Sequence, residues 1–220
     1  MVAASKSDTA AAQARPLGPS LVSASTPTPP TQEAVLAGVG AGERWAHAAL
    51  YDLLFPVVAR TLQKILRDTS GDYEDLVQVC FERIVRTLSS ERGAEIANLS
   101  GWAGSIAAHV ALDALRGRVR ERRLFERESA GAAPRVESVP APSLERQLEA
   151  RKQLEWLQHT LARMNPDQAQ TMLLHDVLGH GLSEVAAIMG VTVAAAQRRL
   201  SRGHQELVRR AQARGIKGGT

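Results

Sequence analysis

Asp72-Tyr73-Glu74-Asp75-Leu76-Val77-Gln78-Val79-Cys80-Phe81-Glu82-Arg83 has the pattern of an amphipathic helix at its N-terminal end. Leu76, Val79, Cys80 and Ile84 recur at helical spacing and are expected to face a core. Asp72 is placed to cap the helix. Glu74 and Asp75 fall in its first turn, where negative charge is favoured by the helix dipole. Asp75, Gln78 and Glu82 line up on another face as a polar ridge. Such a ridge also fits the solvated side of an ordinary helix, so its meaning depends on the chain around it.

Upstream, residues 1–40 are rich in Ala, Ser, Thr and Pro, densest at Ser25-Thr26-Pro27-Thr28-Pro29-Pro30-Thr31. A segment with so little to bury does not offset its ordering entropy, and a disordered tail is expected. From Glu43 to Arg67 the pattern turns helical, with Trp45, Leu50, Leu54, Val58, Leu62 and Ile65 in a broad apolar stripe. Pro56 lies inside it and predicts a kink, or two helices meeting. Downstream, Ser89 to Ser100 reads as a loop, and Ser100 as the cap of a third helix carrying Trp102, Ile106, Val110 and Leu115. That helix changes character at Arg116, Arg118, Arg120, Arg122, Arg123 and Arg127, set against Glu121 and Glu126. Basic residues following an amphipathic helix fit a phosphate backbone, though a charge run is also the common dress of a solvated face.

Ser129 to Ser143, with Gly131, Pro134, Pro140 and Pro142, breaks the helical signal and predicts a flexible linker. The expected organisation is therefore a tail at 1–40, a helical domain at 41–128, a linker at 129–143, a second helical domain at 144–213 and a short tail at 214–220. The second domain closes with a helix-turn-helix pattern. Ser183 caps a short helix through Met189, Gly190 turns the chain, and Thr192 caps a longer helix with Gln197, Arg198, Arg199 and Arg202 on its polar side. The fold class expected is all-α, in two small domains.

Composition narrows the function. Net charge is +4, the isoelectric point is about 9.7, and aromatics are only 4% of the chain. A modestly basic balance admits a polyanionic partner. Cys80 is the only cysteine, which excludes an intrachain disulfide and suits a reducing compartment. No run approaches the roughly 18 apolar residues of a membrane span. No apolar block follows Lys6 or Arg15, so a cleaved signal peptide is not expected and the cytoplasm is the expected location. The six histidines are dispersed without ligand spacing, and no glycine-rich loop follows a strand. No catalytic residues, metal or cofactor are expected.

The order of these features resembles the extracytoplasmic-function group of bacterial RNA polymerase sigma factors. The run from Asp72 to Arg83 is similar to the family's acidic polymerase-docking helix. The resemblance implies that Asp72, Glu74, Asp75, Gln78 and Glu82 bind core RNA polymerase. Trp102, Ile106, Ala107, Leu112, Asp113 and Arg116 match the family's promoter-melting helix. By that match Asp113 is structural, and Trp102, His109, Arg116, Arg118, Arg120, Arg122 and Arg123 meet the minus-ten DNA. Ser183-Glu184-Val185-Ala186 and Arg199-Leu200-Ser201-Arg202 match the helix-turn-helix that reads the minus-thirty-five element, with Gln197, Arg198, Arg199 and Arg202 as its DNA contacts. An inhibitory anti-sigma partner is implied by the family.

The chain departs from the family pattern in several places. His109 stands where Asn is usual, Ala103 replaces a larger apolar residue, Tyr73 replaces a small one, and Ala194-Ala195-Ala196 precede the recognition helix. Alanine does not hydrogen-bond base edges, so base readout falls on Gln197, Arg198 and their neighbours. Two other readings fit the residues alone. One is a helix-turn-helix regulator that works without polymerase, and the other is a helical adaptor that binds only protein.

Overall fold

The computed structural model describes residues 30–67, 71–89, 96, 98–128 and 142–215. Every element among them is helical: α1 (Gln32–Gly40), α2 (Arg44–Leu66), α3 (Tyr73–Leu88), α4 (Leu99–Glu128), α5 (Pro142–Ala162), α6 (Pro166–Met172), α7 (Leu182–Ile188) and α8 (Val193–Ala213). A π-helical stretch, Leu173–Val177, continues α6. Residues 1–29 and 129–141, where a tail and a linker are expected, lie outside the described residues.

The first unit is α1 to α4. Leu50, Leu54, Val58 and Leu62 repeat every four residues on α2 and are fully buried, together with Cys80 and Ile84 of α3. On α4 the buried row is Ala103, Ala107 and Ala111, whose small side chains let neighbouring helices approach closely. Pro56 does not split α2, which runs unbroken for 23 residues. Pro56 and Asp52 both face solvent, so the carbonyl that loses its amide partner is not stranded in the core.

The expected tail ends too late in the sequence. Residues 32–40 form α1, capped by the Thr31 hydroxyl accepting from the Ala34 amide, with Val35 and Val39 buried against the core. Gly38 permits this packing, because a Cβ there would stand 2.6 Å from that of Ala46. The linker boundary moves likewise. α5 begins at Pro142, a residue with helix-ready φ and no amide to strand.

Three capping expectations are corrected. Asp72 precedes α3 but makes no side-chain cap bond. Asn98, not Ser100, caps α4, accepting from the Gly101 amide at 2.8 Å. Gly181, not Ser183, precedes α7. The core row of α3 is Val77, Cys80, Ile84 and Leu88, with Leu76 and Val79 only half-buried at its flanks.

The second unit is α5 to α8. Leu174, Val185, Ala186 and Ala196 form its own small core. Leu161, Met164, Met172, Leu173 and Leu200 instead join the apolar cluster of the first unit. The two sequence domains are thus docked. Gln158 of α5 donates to the carbonyls of Ile65 and Leu66 at 2.9 and 2.8 Å, and so satisfies the C-terminal end of α2. Gln170 donates to the Ser105 carbonyl at 3.3 Å, and Asn98 donates to Glu184 at 2.8 Å.

Candidate nucleic-acid interface

The ridge on α3 is in place. Asp72, Glu74, Asp75, Gln78 and Glu82 are all exposed, and Gln78 donates to Glu82 at 2.9 Å. Behind them Cys80 is buried, and its thiol pKa is pushed up to about 12 by desolvation, against the opposing pull of Arg83. Beside the ridge lies a group the sequence reading missed. Tyr51 stacks on Phe55 at 5.2 Å between ring centroids and tilts against Phe81 at 4.5 Å. In a chain so poor in aromatics, three of them at compatible helical positions were the available signal.

On α4 the expected DNA residues divide. Asp113 is a hub between helices: it pairs with Arg83 of α3 at 3.3 Å, with Arg116 at 3.2 Å and with His109 at 3.5 Å. Arg116 is mostly covered, and one of its guanidinium nitrogens is buried without a hydrogen-bond partner. His109 and Arg116 are therefore turned to a carboxylate of their own helix. Trp102 is half-buried against the core. Arg118 is half-buried, whereas Arg120, Arg122 and Arg123 are exposed and lead into the exposed Leu124 and Phe125.

In the second unit Thr192 caps α8 by accepting from the Ala195 amide at 3.2 Å. Ala196 is core, which explains an alanine there. Gln197, Arg198 and Arg202 are exposed along one side of α8. Arg199 differs: it is held at 2.7 Å by Asp167 of α6. Behind the helix, Arg210 donates to the Thr160 and Arg163 carbonyls and ties α8 to the end of α5. Asp176 bridges His175 at 2.8 Å and His204 at 2.7 Å, and His180 meets Glu184 at 2.9 Å. Among the described residues no group of three or more His, Cys, Asp or Glu is placed to hold a metal.

Residues 50–121 match the family described as sigma-70 region 2, and residues 154–207 match sigma-70 region 4. The RNA polymerase sigma factor CarQ of Myxococcus xanthus is 33% identical over 138 residues, covering 61% of this chain and 71% of CarQ. The chain belongs to the sigma-70 family of RNA polymerase sigma factors. It is a sigma factor of the extracytoplasmic-function group and directs promoter recognition, with region 4 following region 2 across residues 122–153. A regulator working without polymerase would leave the region 2 match unexplained. A solved structure of CnrH in complex with the cytosolic domain of CnrY is 18% identical, covers 81% of this chain and 96% of its own, and superposes with a TM-score of 0.46. Among the described residues of this sigma factor, no helix is long and apolar enough to cross a membrane.

Proposed function

We propose that this sigma factor holds core RNA polymerase with the α3 ridge and reads its promoter at two places, with α4 and with α8. The observation that carries the proposal is the ridge itself. Asp75, Gln78 and Glu82 are exposed on a helix whose opposite side is fully buried, and no residue of α5–α8 engages them among the described residues. On α4, Arg118, Arg120, Arg122 and Arg123 are the phosphate contacts, and Trp102 supports base capture. His109 and Arg116 act through Asp113, which fixes α4 against α3. On α8, Gln197, Arg198 and Arg202 face the minus-thirty-five element, and Arg199 positions the helix through Asp167.

The working units are residues 32–128 and 142–213. Asp72, Glu74 and Asp75 add negative charge at the start of the docking helix. Nucleotidyl transfer belongs to polymerase, so this chain needs no catalytic group, and its place is the cytoplasm. An anti-sigma partner follows from the family resemblance alone. In the docked arrangement Glu184 holds Asn98, and Ile188 lies where a Cβ on Gly101 would come within 2.9 Å. α7 therefore covers the start of α4, and capture of a minus-ten strand there requires α7 to withdraw. A stretch of thirteen residues, the length of 129–141, spans at most about 45 Å if fully extended.

The test is a pull-down and run-off transcription with core polymerase, comparing wild type and Asp75→Arg. The expected result is core binding and discrete transcripts for wild type, with both lost in the variant. Core binding unchanged by the variant would overturn the assignment of the ridge.

A further inference from the structure

Docking of the two units leaves an open cleft of about 640 Å3 between the end of α2, the middle of α4 and the side of α5. Its apolar floor is Leu66, Leu115, Val119 and Leu154, and its rim carries Arg67, Arg118, Arg122 and Arg151. Arg67 follows α2 and Arg118 and Arg122 lie on α4, all in the first unit, and docking adds Arg151 of α5 to the same lining. Glu155 is the one acidic lining residue and pairs with Arg151 at 3.4 Å. The side chains of Arg67, Arg118 and Arg122 have no hydrogen-bond or ion-pair partner among the described residues. Gln158 braces the wall through its two bonds to α2. His159, also lining the cleft, has its pKa lowered by desolvation and then by Arg163, Arg123, Arg122 and Arg210. The surroundings are electropositive.

We infer that this seam is a binding site for a small polyphosphate anion, such as a nucleoside polyphosphate, with its phosphates on Arg67, Arg118, Arg122 and Arg151. A guanidinium fork matches phosphate oxygens bidentately, which makes arginine the fitting residue for this ligand. The cleft lies within the usual volume range of small-molecule sites. Leu66, Leu115, Val119 and Leu154 offer apolar surface to any apolar or aromatic body attached to the phosphates. A ligand held there bridges α4 to α5 and so stabilises the docked arrangement. Arg118 and Arg122 then serve either the ligand or promoter DNA. This consequence for transcription rests on the DNA reading of α4, whereas the site itself stands on the seam.

The experiment is isothermal titration calorimetry of the full chain with inorganic triphosphate and with ATP, each without magnesium. Both are run against a sodium chloride control of equal ionic strength. Wild type is expected to bind one equivalent. Arg151→Glu, on α5 and outside the DNA set, is expected to weaken binding by roughly tenfold or more. Arg120→Glu, an exposed residue of α4 outside the cleft, is expected to leave it unchanged. Tighter binding of ATP than of triphosphate would assign the apolar floor to the nucleoside, and equal binding would assign the site to the phosphates alone. Affinity unchanged in Arg151→Glu, or weakened as much by Arg120→Glu, or heat reproduced by sodium chloride, would overturn the proposal. Core-polymerase binding by Arg151→Glu is read in parallel, so loss of the anion site stays separate from any failure of the sigma-factor assignment.

Discussion

Gln158→Ala tests the docked arrangement most directly. The Gln158 amide makes two bonds across the seam, at 2.9 and 2.8 Å, to carbonyls at the end of α2 that have no partner within the helix. A typical hydrogen bond contributes about 0.5–1.5 kcal/mol net, so losing both should disfavour docking by about 1–3 kcal/mol. That is roughly a 5- to 150-fold shift towards the separated form. The two carbonyls become solvated on separation, so the penalty falls on docking and not on the folding of either unit. Small-angle X-ray scattering reads the shift as a larger radius of gyration and a longer maximum dimension, while circular dichroism should stay the same. If α7 must leave α4 before a minus-ten strand is captured, the variant should also bind a promoter fragment with core more tightly, because a larger fraction is competent. Scattering curves that superpose for wild type and variant would refute the reasoning, and equal extension of both would show that the seam is not populated in solution.

Asp113→Ala should lower stability by about 1–3 kcal/mol, because it removes the partner of Arg83 and leaves the largely covered Arg116 guanidinium uncompensated. Urea denaturation measures this, and Asp113→Asn should lose less. Cys80 should resist a thiol reagent at pH 8 in the native protein and react only on unfolding, since burial holds its pKa near 12 and shields the sulfur. His159 has a folded pKa below its ordinary 6.5, so the unfolded chain takes up the proton first. Its contribution is therefore whole above about pH 6.5 and falls as the pH drops through that value towards the folded pKa. Denaturation at several pH values should show a flatter acid limb for His159→Gln.

Much of the organisation was legible in the chain because helices announce themselves by period and by breakers. The ridge Asp75, Gln78 and Glu82 is exposed as its spacing requires, and Thr192 caps α8 as its position suggests. The errors fall where a local signal competes with packing. α1 looked like tail because its segment is short and rich in small residues. Val35, Val39 and Gly38 become informative only when α2 is there to receive them. Val77 displaced its neighbours in the core of α3 because a one-residue rotation of an amphipathic helix leaves the pattern almost unchanged. Pro56 was harmless because it faces solvent, which depends on how α2 is rolled against α4.

The sequence by itself determined the helical class, the two-unit order and the acidic and basic faces, since each is written in residues close together along the chain. Only the tertiary structure decided which arginines are free. Arg116 turns to Asp113 and Arg199 to Asp167, while Arg120 and Arg198 stay open to solvent, although all four look alike in the sequence. The docking of the units was hidden for the same reason. Gln158 and the carbonyls of Ile65 and Leu66 lie more than ninety residues apart, and no local pattern marks a side-chain amide that closes the end of a distant helix.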